Sequence, residues 1–211
     1  VQGSIRSHLL EQTLPMIFGV AAISSVGIID AYFVGQIGPQ PLAAISFAFP
    51  VTIALTSLGV GVLVGINSVV SRGLGSGRRD LAERRAGQGV ALAALVGLAL
   101  TAVLMLLQGP LFSLLGAKGE TAALIDRYMF PYLAGYPFLL LSMGSNGVLR
   151  AQGAAKRSSG VLITMAAANW VLDPLLIAGW GPFPAFGISG AAYASAGSFV
   201  IAGVTGSTFA A

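Results

Sequence analysis

The sequence predicts an all-α, polytopic membrane protein built as a bundle of six transmembrane helices. Composition is the first reason: 55% of the 211 residues are hydrophobic and 9% are charged, far below the roughly 25% charged residues of soluble domains. Mean hydropathy is +0.86. The second reason is that the apolar residues fall into six long runs, at 12–36, 44–71, 84–107, 121–148, 158–179 and 187–210. Runs of about 22 to 28 residues, rising about 1.5 Å per residue, cross a hydrocarbon core of about 30 Å with some tilt. The third is that most of the Lys and Arg residues lie between these runs or at their ends, as orientation signals do.

The first run, 12–36, follows a start at Val1 and carries no signal-peptide pattern with a small-residue cleavage site. It contains Pro15 and, near its far end, Asp30. The second, 44–71, holds Pro50 and the small-xxx-small segment Gly61-Val62-Leu63-Val64-Gly65, a pattern suited to helix contact. After it, Gly73-Leu74-Gly75-Ser76-Gly77-Arg78-Arg79 has the composition of a phosphate-cradling loop but lacks the Gly-Lys-Ser/Thr ending and a preceding strand, so it reads as a turn. The third run, 84–107, is uninterrupted. The fourth, 121–148, carries Pro131 and Pro137, whose freed backbone groups neighbouring helices can satisfy. Its Tyr136 is a candidate wall of a substrate cavity, as is Trp170 in the fifth run.

The fifth run, 158–179, organises the reading. Asn169-Trp170-Val171-Leu172-Asp173-Pro174 puts an acid inside a membrane span, at a cost of roughly 2.5–3.5 kcal/mol on insertion scales, so the acid is expected to face protein or water and to serve an ion, proton or substrate path. Asn169 shares its helix face. Pro174 cannot donate to the carbonyl of Trp170 and is expected to bend the helix there. The sixth run, 187–210, is rich in Gly and Ala and is still apolar at Ala211, so the chain reads as cut at both ends.

Orientation follows from the basic residues. Arg6, Arg72, Arg78, Arg79, Arg84, Arg85, Arg150, Lys156 and Arg157 lie on one side and only Lys118 and Arg127 on the other, nine against two, which puts both ends on the cytoplasmic side of the inner membrane. Asp30 and Asp173 then lie at one depth, each toward the outer end of an outward-running helix. Burial disfavours the charged form of an acid, and a second acid nearby disfavours it further, so such a pair responds to protons. As a purely structural alternative, each acid serves only as glue between helices.

Other classes are poorly served. The net charge of +4 comes from loop arginines rather than a nucleic-acid-binding face. Cysteine is absent, and the single histidine, His8, precedes the first span, so neither a disulfide, a zinc cluster nor a His-based triad is available. No His, Cys or Lys lies mid-span as base or nucleophile, so an enzyme is not expected, and no organic cofactor is implied.

Four segments, in order, carry a family resemblance. Asp30-Ala31-Tyr32-Phe33-Val34-Gly35-Gln36-Ile37-Gly38 with Leu42-Ala43-Ala44 resembles the first helix and first outer loop of multidrug and toxic compound extrusion (MATE) transporters. Ser71-Arg72-Gly73-Leu74-Gly75-Ser76-Gly77 is similar to their loop between helices 2 and 3, and Arg150-Ala151-Gln152-Gly153 to the loop after helix 4. The fourth is Asn169-Trp170-Val171-Leu172-Asp173-Pro174 followed by Gly187-Ile188-Ser189-Gly190-Ala191-Ala192-Tyr193-Ala194-Ser195. The resemblance covers essentially the whole chain and implies the N-terminal lobe of a two-lobe, twelve-helix transporter. It is nearest the prokaryotic branch resembling DNA-damage-inducible F proteins, because other branches put Asn where Asp173 stands. In that branch a helix 1 acid and a helix 5 Asn-x-x-x-Asp bind the coupling ion, which implies Asp30, Asn169 and Asp173 here. A helix 6 Thr completes that site; Ser195 stands in its place and keeps the hydroxyl. Pro15 matches a helix 1 proline implicated in bending.

The resemblance implies an antiporter lobe in which a proton or sodium ion at Asp30, Asn169, Asp173 and Ser195 is exchanged for an organic cation or amphipath, with drugs and toxins as the substrate class. Hard oxygen ligands suit sodium as well as a proton. The partners expected are a small organic substrate, the lipid bilayer, and a missing C-terminal lobe or a second copy; nucleic acid is not among them. Two alternatives stay open: a lipid-linked sugar flippase of the same superfamily, which would need cationic residues at depth, and a non-transporting, truncated membrane bundle.

Overall fold

The structure is a computed structural model and describes the backbone of residues 5–210 and the side chains of residues 10–210. Arg6 and His8 of the sequence reading therefore lie outside the described side chains. Six helices follow one another: α1 (Ile5–Ile37), α2 (Pro39–Gly75), α3 (Arg79–Leu114), α4 (Gly119–Ala151), α5 (Ala155–Ile177) and α6 (Ile188–Ala210). No strand occurs among the described residues. The all-α, polytopic class expected from the sequence is the class observed.

Several helices outrun their apolar runs. At about 1.5 Å per residue the 37 residues of α2 extend about 55 Å, well beyond a core of about 30 Å. α3 opens on Arg79-Asp80-Leu81-Ala82-Glu83-Arg84-Arg85, a mainly charged stretch in which all but Asp80 are good helix formers, and Asp80 in the first turn faces the helix dipole. α5 stops at Ile177, short of the expected 179, because Gly179 takes φ +73° and its Cα lies against Ala185.

The segment of phosphate-loop composition resolves into a helix end. Gly73 and Gly75 belong to α2, Gly77 has φ +73°, and the amides of Arg78 and Gly77 donate to the carbonyls of Gly73 and Leu74, both at 3.1 Å. That is a Schellman cap, and the same pair of bonds closes α3 at Gly116 and α4 at Gly153.

Among the described residues five helices, all but α4, are long and apolar enough to cross a membrane by length and composition. α4 is different because it is the hub. It packs against α2, α3 and α6, and its buried set runs from Ile125 to Leu149. A helix enclosed by other helices meets little lipid, so it can carry Ser142, Ser145 and Asn146 inward. Two glycines allow this enclosure. A Cβ on Gly135 would meet Ala196 of α6 at 2.6 Å, and one on Gly147 the carbonyl of Leu63 of α2 at 2.6 Å.

α1 stands apart. It packs chiefly on α5, with Gly19 against Ser159 and Leu162. The two helices run in the same direction, so a contact near residue 19 with residue 159 carries forward to one near residue 30 with residues 169 and 173. α1 and α2 touch only lightly. The opening between them is where the cavity lies.

Candidate functional site

Parallel packing of α1 on α5 delivers the acids to each other. The carboxyl of Asp30 adjoins both that of Asp173 and the side chain of Asn169. Asn169 and Asp173 occupy successive turns of one α5 face and are 1% and 0% exposed. Asp30 reaches the cavity; Asp173 does not line it and is closed in behind.

Five buried polar atoms of this cluster have no hydrogen-bond partner among the described residues: Oδ1 of Asp30, both Oδ1 and Nδ2 of Asn169, and both carboxylate oxygens of Asp173. Buried polar groups are ordinarily paired, and an orphaned group costs about 1–3 kcal/mol. Four of the five are oxygens. Two ionised carboxylates in contact have no hydrogen to share and repel each other. A proton or a hard monovalent cation would supply what this oxygen set lacks. Among the described residues no group of three or more His, Cys, Asp and Glu is assembled, so the donor set fits such an ion better than a structural transition metal.

The cavity holds about 620 Å³ and is bounded by α1, α2, α4, α5 and α6. Its polar groups are Asp30, Asn169 and Ser195, joined by hydroxyls of α2 such as Thr52 and Thr56. Its aromatic wall is made by Tyr128 and Tyr132 of α4, stacked at 5.8 Å with 24° between ring planes, and by Phe199 of α6, edge-on to Tyr132 at 5.4 Å. An apolar, aromatic wall with a few convergent polar groups is the usual form of a small-molecule site.

Ser195 reaches the cavity because α6 is seated tightly on the end of α5. The chain between them folds back, with the amides of Phe186 and Gly187 donating to the carbonyls of Leu176 at 2.9 Å and Ile177 at 3.3 Å. Gly190 then rests on Leu176, where a Cβ would run into its carbonyl. Ala191, Ala192 and Ala194, which follow it, are fully buried. The Gly-Ile-Ser-Gly-Ala-Ala motif is thus a packing device, and Ser195 lies one turn beyond it.

Two sequence expectations need correction. Tyr136 does not line the cavity: it is 0% exposed, and its hydroxyl donates to the carbonyl of Leu55 at 2.9 Å, tying α4 to α2. Trp170 is 38% exposed and is also absent from the cavity wall, because one helical residue turns it roughly 100° from Asn169. The aromatic wall is instead Tyr128 and Tyr132. Their signal was present: Tyr128, Tyr132 and Tyr136 recur every four residues on one face of α4. Only the packing of α2 decides where along that stripe the cavity ends. α1 and α5 continue unbroken through Pro15 and Pro174.

Comparison with known proteins points one way. The family model described as MatE matches residues 15–175. A protein of Shewanella oneidensis named FAD transporter is 40% identical over 195 residues, which are 92% of this chain and 43% of that protein. The multidrug export protein MepA of Staphylococcus aureus is 30% identical over 175 residues, 82% of this chain and 38% of that one. Among solved structures, an outward-facing multidrug resistance MATE family transporter of the MOP superfamily superposes with a TM-score of 0.90 at 29% identity, covering 98% of this chain and 45% of that one. A MATE in the bent conformation gives 0.89, likewise at 29% identity, 98% and 45%. The chain therefore spans less than half the length of the relatives it matches.

Proposed function

Because this chain belongs to the MatE family, we propose that it forms the N-terminal lobe of a two-lobe antiporter that exports organic solutes across the inner membrane in exchange for a proton or sodium ion. The observation that carries this reading is the meeting of Asp30, Asn169 and Asp173, with their orphaned oxygens, at the edge of an aromatic cavity. Asp30 and Asp173 hold the ion, Asn169 orients the acids or supplies an amide oxygen, and Ser195 offers a hydroxyl from the facing helix.

An ion shifts a conformational equilibrium only through unequal affinity for the two states. Here α1 carries one acid and α5 the other, so the spacing of the oxygens follows how closely α1 packs on α5. Neutralising the pair favours close packing; losing the ion favours separation. Movement of α1, with Pro15 and Pro174 relaxing the local backbone, then changes the cavity bounded by Asp30 and Tyr132. Both ends of this lobe lie on the cytoplasmic side, and the second lobe supplies the other half of the substrate path.

For the substrate, the stacked tyrosines and the absence of Lys and Arg from the cavity wall among the described residues favour planar organic cations and amphipaths. A second reading, export of FAD, is favoured by the 40% identity to a protein of that name, and a flavin ring also suits the aromatic wall. Its diphosphate would then be met by the other lobe. The same missing cations weigh against a lipid-linked sugar flippase. Proteoliposomes of the two-lobe protein, loaded in turn with ethidium and with FAD under an inward proton or sodium gradient, decide among these. Efflux of either that disappears in the Asp30→Asn variant supports the antiporter, and gradient-driven efflux that survives that change refutes the assigned site.

A further inference from the structure

A second concave feature lies on the flank of the bundle, away from the acids. α2 and α3 form an antiparallel hairpin, and a groove of about 420 Å³ runs along its face between Val62 to Val69 of α2 and Arg85 to Val96 of α3. Its floor is the contact of Gly89 with Ile66, where a Cβ would meet Cγ1 at 3.0 Å. A Cβ on Gly65, by contrast, would meet nothing within 4 Å, so Gly65 opens onto the groove. The wall is apolar except at one end, where Arg85 and Gln88 stand exposed at the mouth.

We propose that this groove binds an anionic phospholipid of the leaflet on the arginine-rich side, with one acyl chain between α2 and α3 and the phosphate at Arg85 and Gln88. Length supports it: from Arg85 to Val96 α3 rises about 16 Å, which is half of a hydrocarbon core of about 30 Å, the depth of one leaflet. Charge supports it as well. The segment from Arg72 to Arg85 holds five arginines against Asp80 and Glu83, and juxtamembrane basic clusters attract anionic headgroups. Arg72 is turned onto Ser68, donating to its carbonyl at 3.1 Å and its hydroxyl at 3.0 Å, so Arg85 is the arginine positioned on the groove. Gln88, one turn further, adds a second donor. A polar donor pair at one end of an apolar slot one leaflet deep matches a lipid, whereas a soluble substrate would need polar groups along its length.

The test uses the purified protein in phosphatidylcholine nanodiscs doped with phosphatidylglycerol that carries a photoreactive group midway along one acyl chain. Illumination and peptide mapping are expected to place adducts in residues 62–69 and 88–96. Arg85→Gln is expected to reduce them about fivefold, the factor corresponding to roughly 1 kcal/mol per basic residue at an anionic surface. Arg84→Gln, outside the groove, is expected to leave them unchanged, and a phosphatidylcholine probe with the same photoreactive chain to label more weakly. Gly65→Leu, which fills open space, is expected to abolish the adducts; should it fail to fold, Arg85→Gln, a change to an exposed side chain, still decides. Equal labelling by both probes, indifference to Arg85→Gln, or cross-linking of the groove to another part of the protein in place of lipid would overturn the proposal.

Discussion

Asp173 lies closed in behind Asp30: the two carboxyls adjoin, but only Asp30 reaches the cavity. The acids are chemically alike and sterically different. A methylene added at Asp30 extends into open volume, whereas one added at Asp173 must enter a packed interior, where overpacking costs typically about 1–3 kcal/mol. Asp30→Glu is therefore expected to keep part of the coupled efflux and Asp173→Glu to lose nearly all of it, with both proteins still inserted. Transport measured in proteoliposomes at matched protein content checks this, and equal tolerance at the two positions would contradict the geometry.

The same pair sets the response to pH in a proton-coupled transporter. Efflux by the two-lobe protein is expected to rise as the outside is made more acidic than the inside, because in the mechanism proposed above protonation from outside drives α1. In the Asp30→Asn, Asp173→Asn double variant the site has no proton to exchange, so residual transport should be flat across the same gradients. Initial rates over a series of imposed gradients provide the measurement, and a retained slope would place coupling elsewhere.

Tyr136 gives a contrast within one stripe. Removing its hydroxyl deletes the bond that ties α4 to the Leu55 carbonyl, a carbonyl already paired within α2, at a cost of about 0.5–1.5 kcal/mol. Tyr136→Phe should lower the thermal midpoint by several degrees and leave substrate discrimination intact. Tyr132→Ala should change which substrates compete for export. Thermal unfolding followed by size exclusion, paired with competition assays, separates the two roles.

Gly190 is expected to be intolerant of any side chain. Its backbone lies on the Leu176 carbonyl, so Gly190→Ala must separate α6 from α5 and withdraw Ser195 from the cavity. A loss of more than about 3 kcal/mol, seen as failure to recover monodisperse protein from detergent, is the expected result. Gly197→Ala, whose Cβ would meet only the end of the Leu172 side chain at 3.1 Å, should be far milder.

Much of this was legible without coordinates. Long apolar runs dictate helices because a bilayer offers no other partner to backbone amides, and six runs gave six helices. Asp30 and Asp173 stood out because acids are costly in hydrocarbon, and their common depth followed from their places near the far ends of the first and fifth spans, which run in the same direction. Sequence order could not say that α1 packs on α5 rather than on its neighbour α2, since periodicity marks a buried face without naming what covers it. That pairing brings two acids far apart in the chain into contact and leaves the cavity between α1 and α2. Nor could it separate Tyr132, on the cavity wall, from Tyr136, sealed against Leu55, because the two share one helix face and differ only in what α2 places opposite them. Local chemistry therefore determined which residues are costly to bury; tertiary packing alone decided which of them meet, since contacts between distant helices depend on the shape of every surface in between.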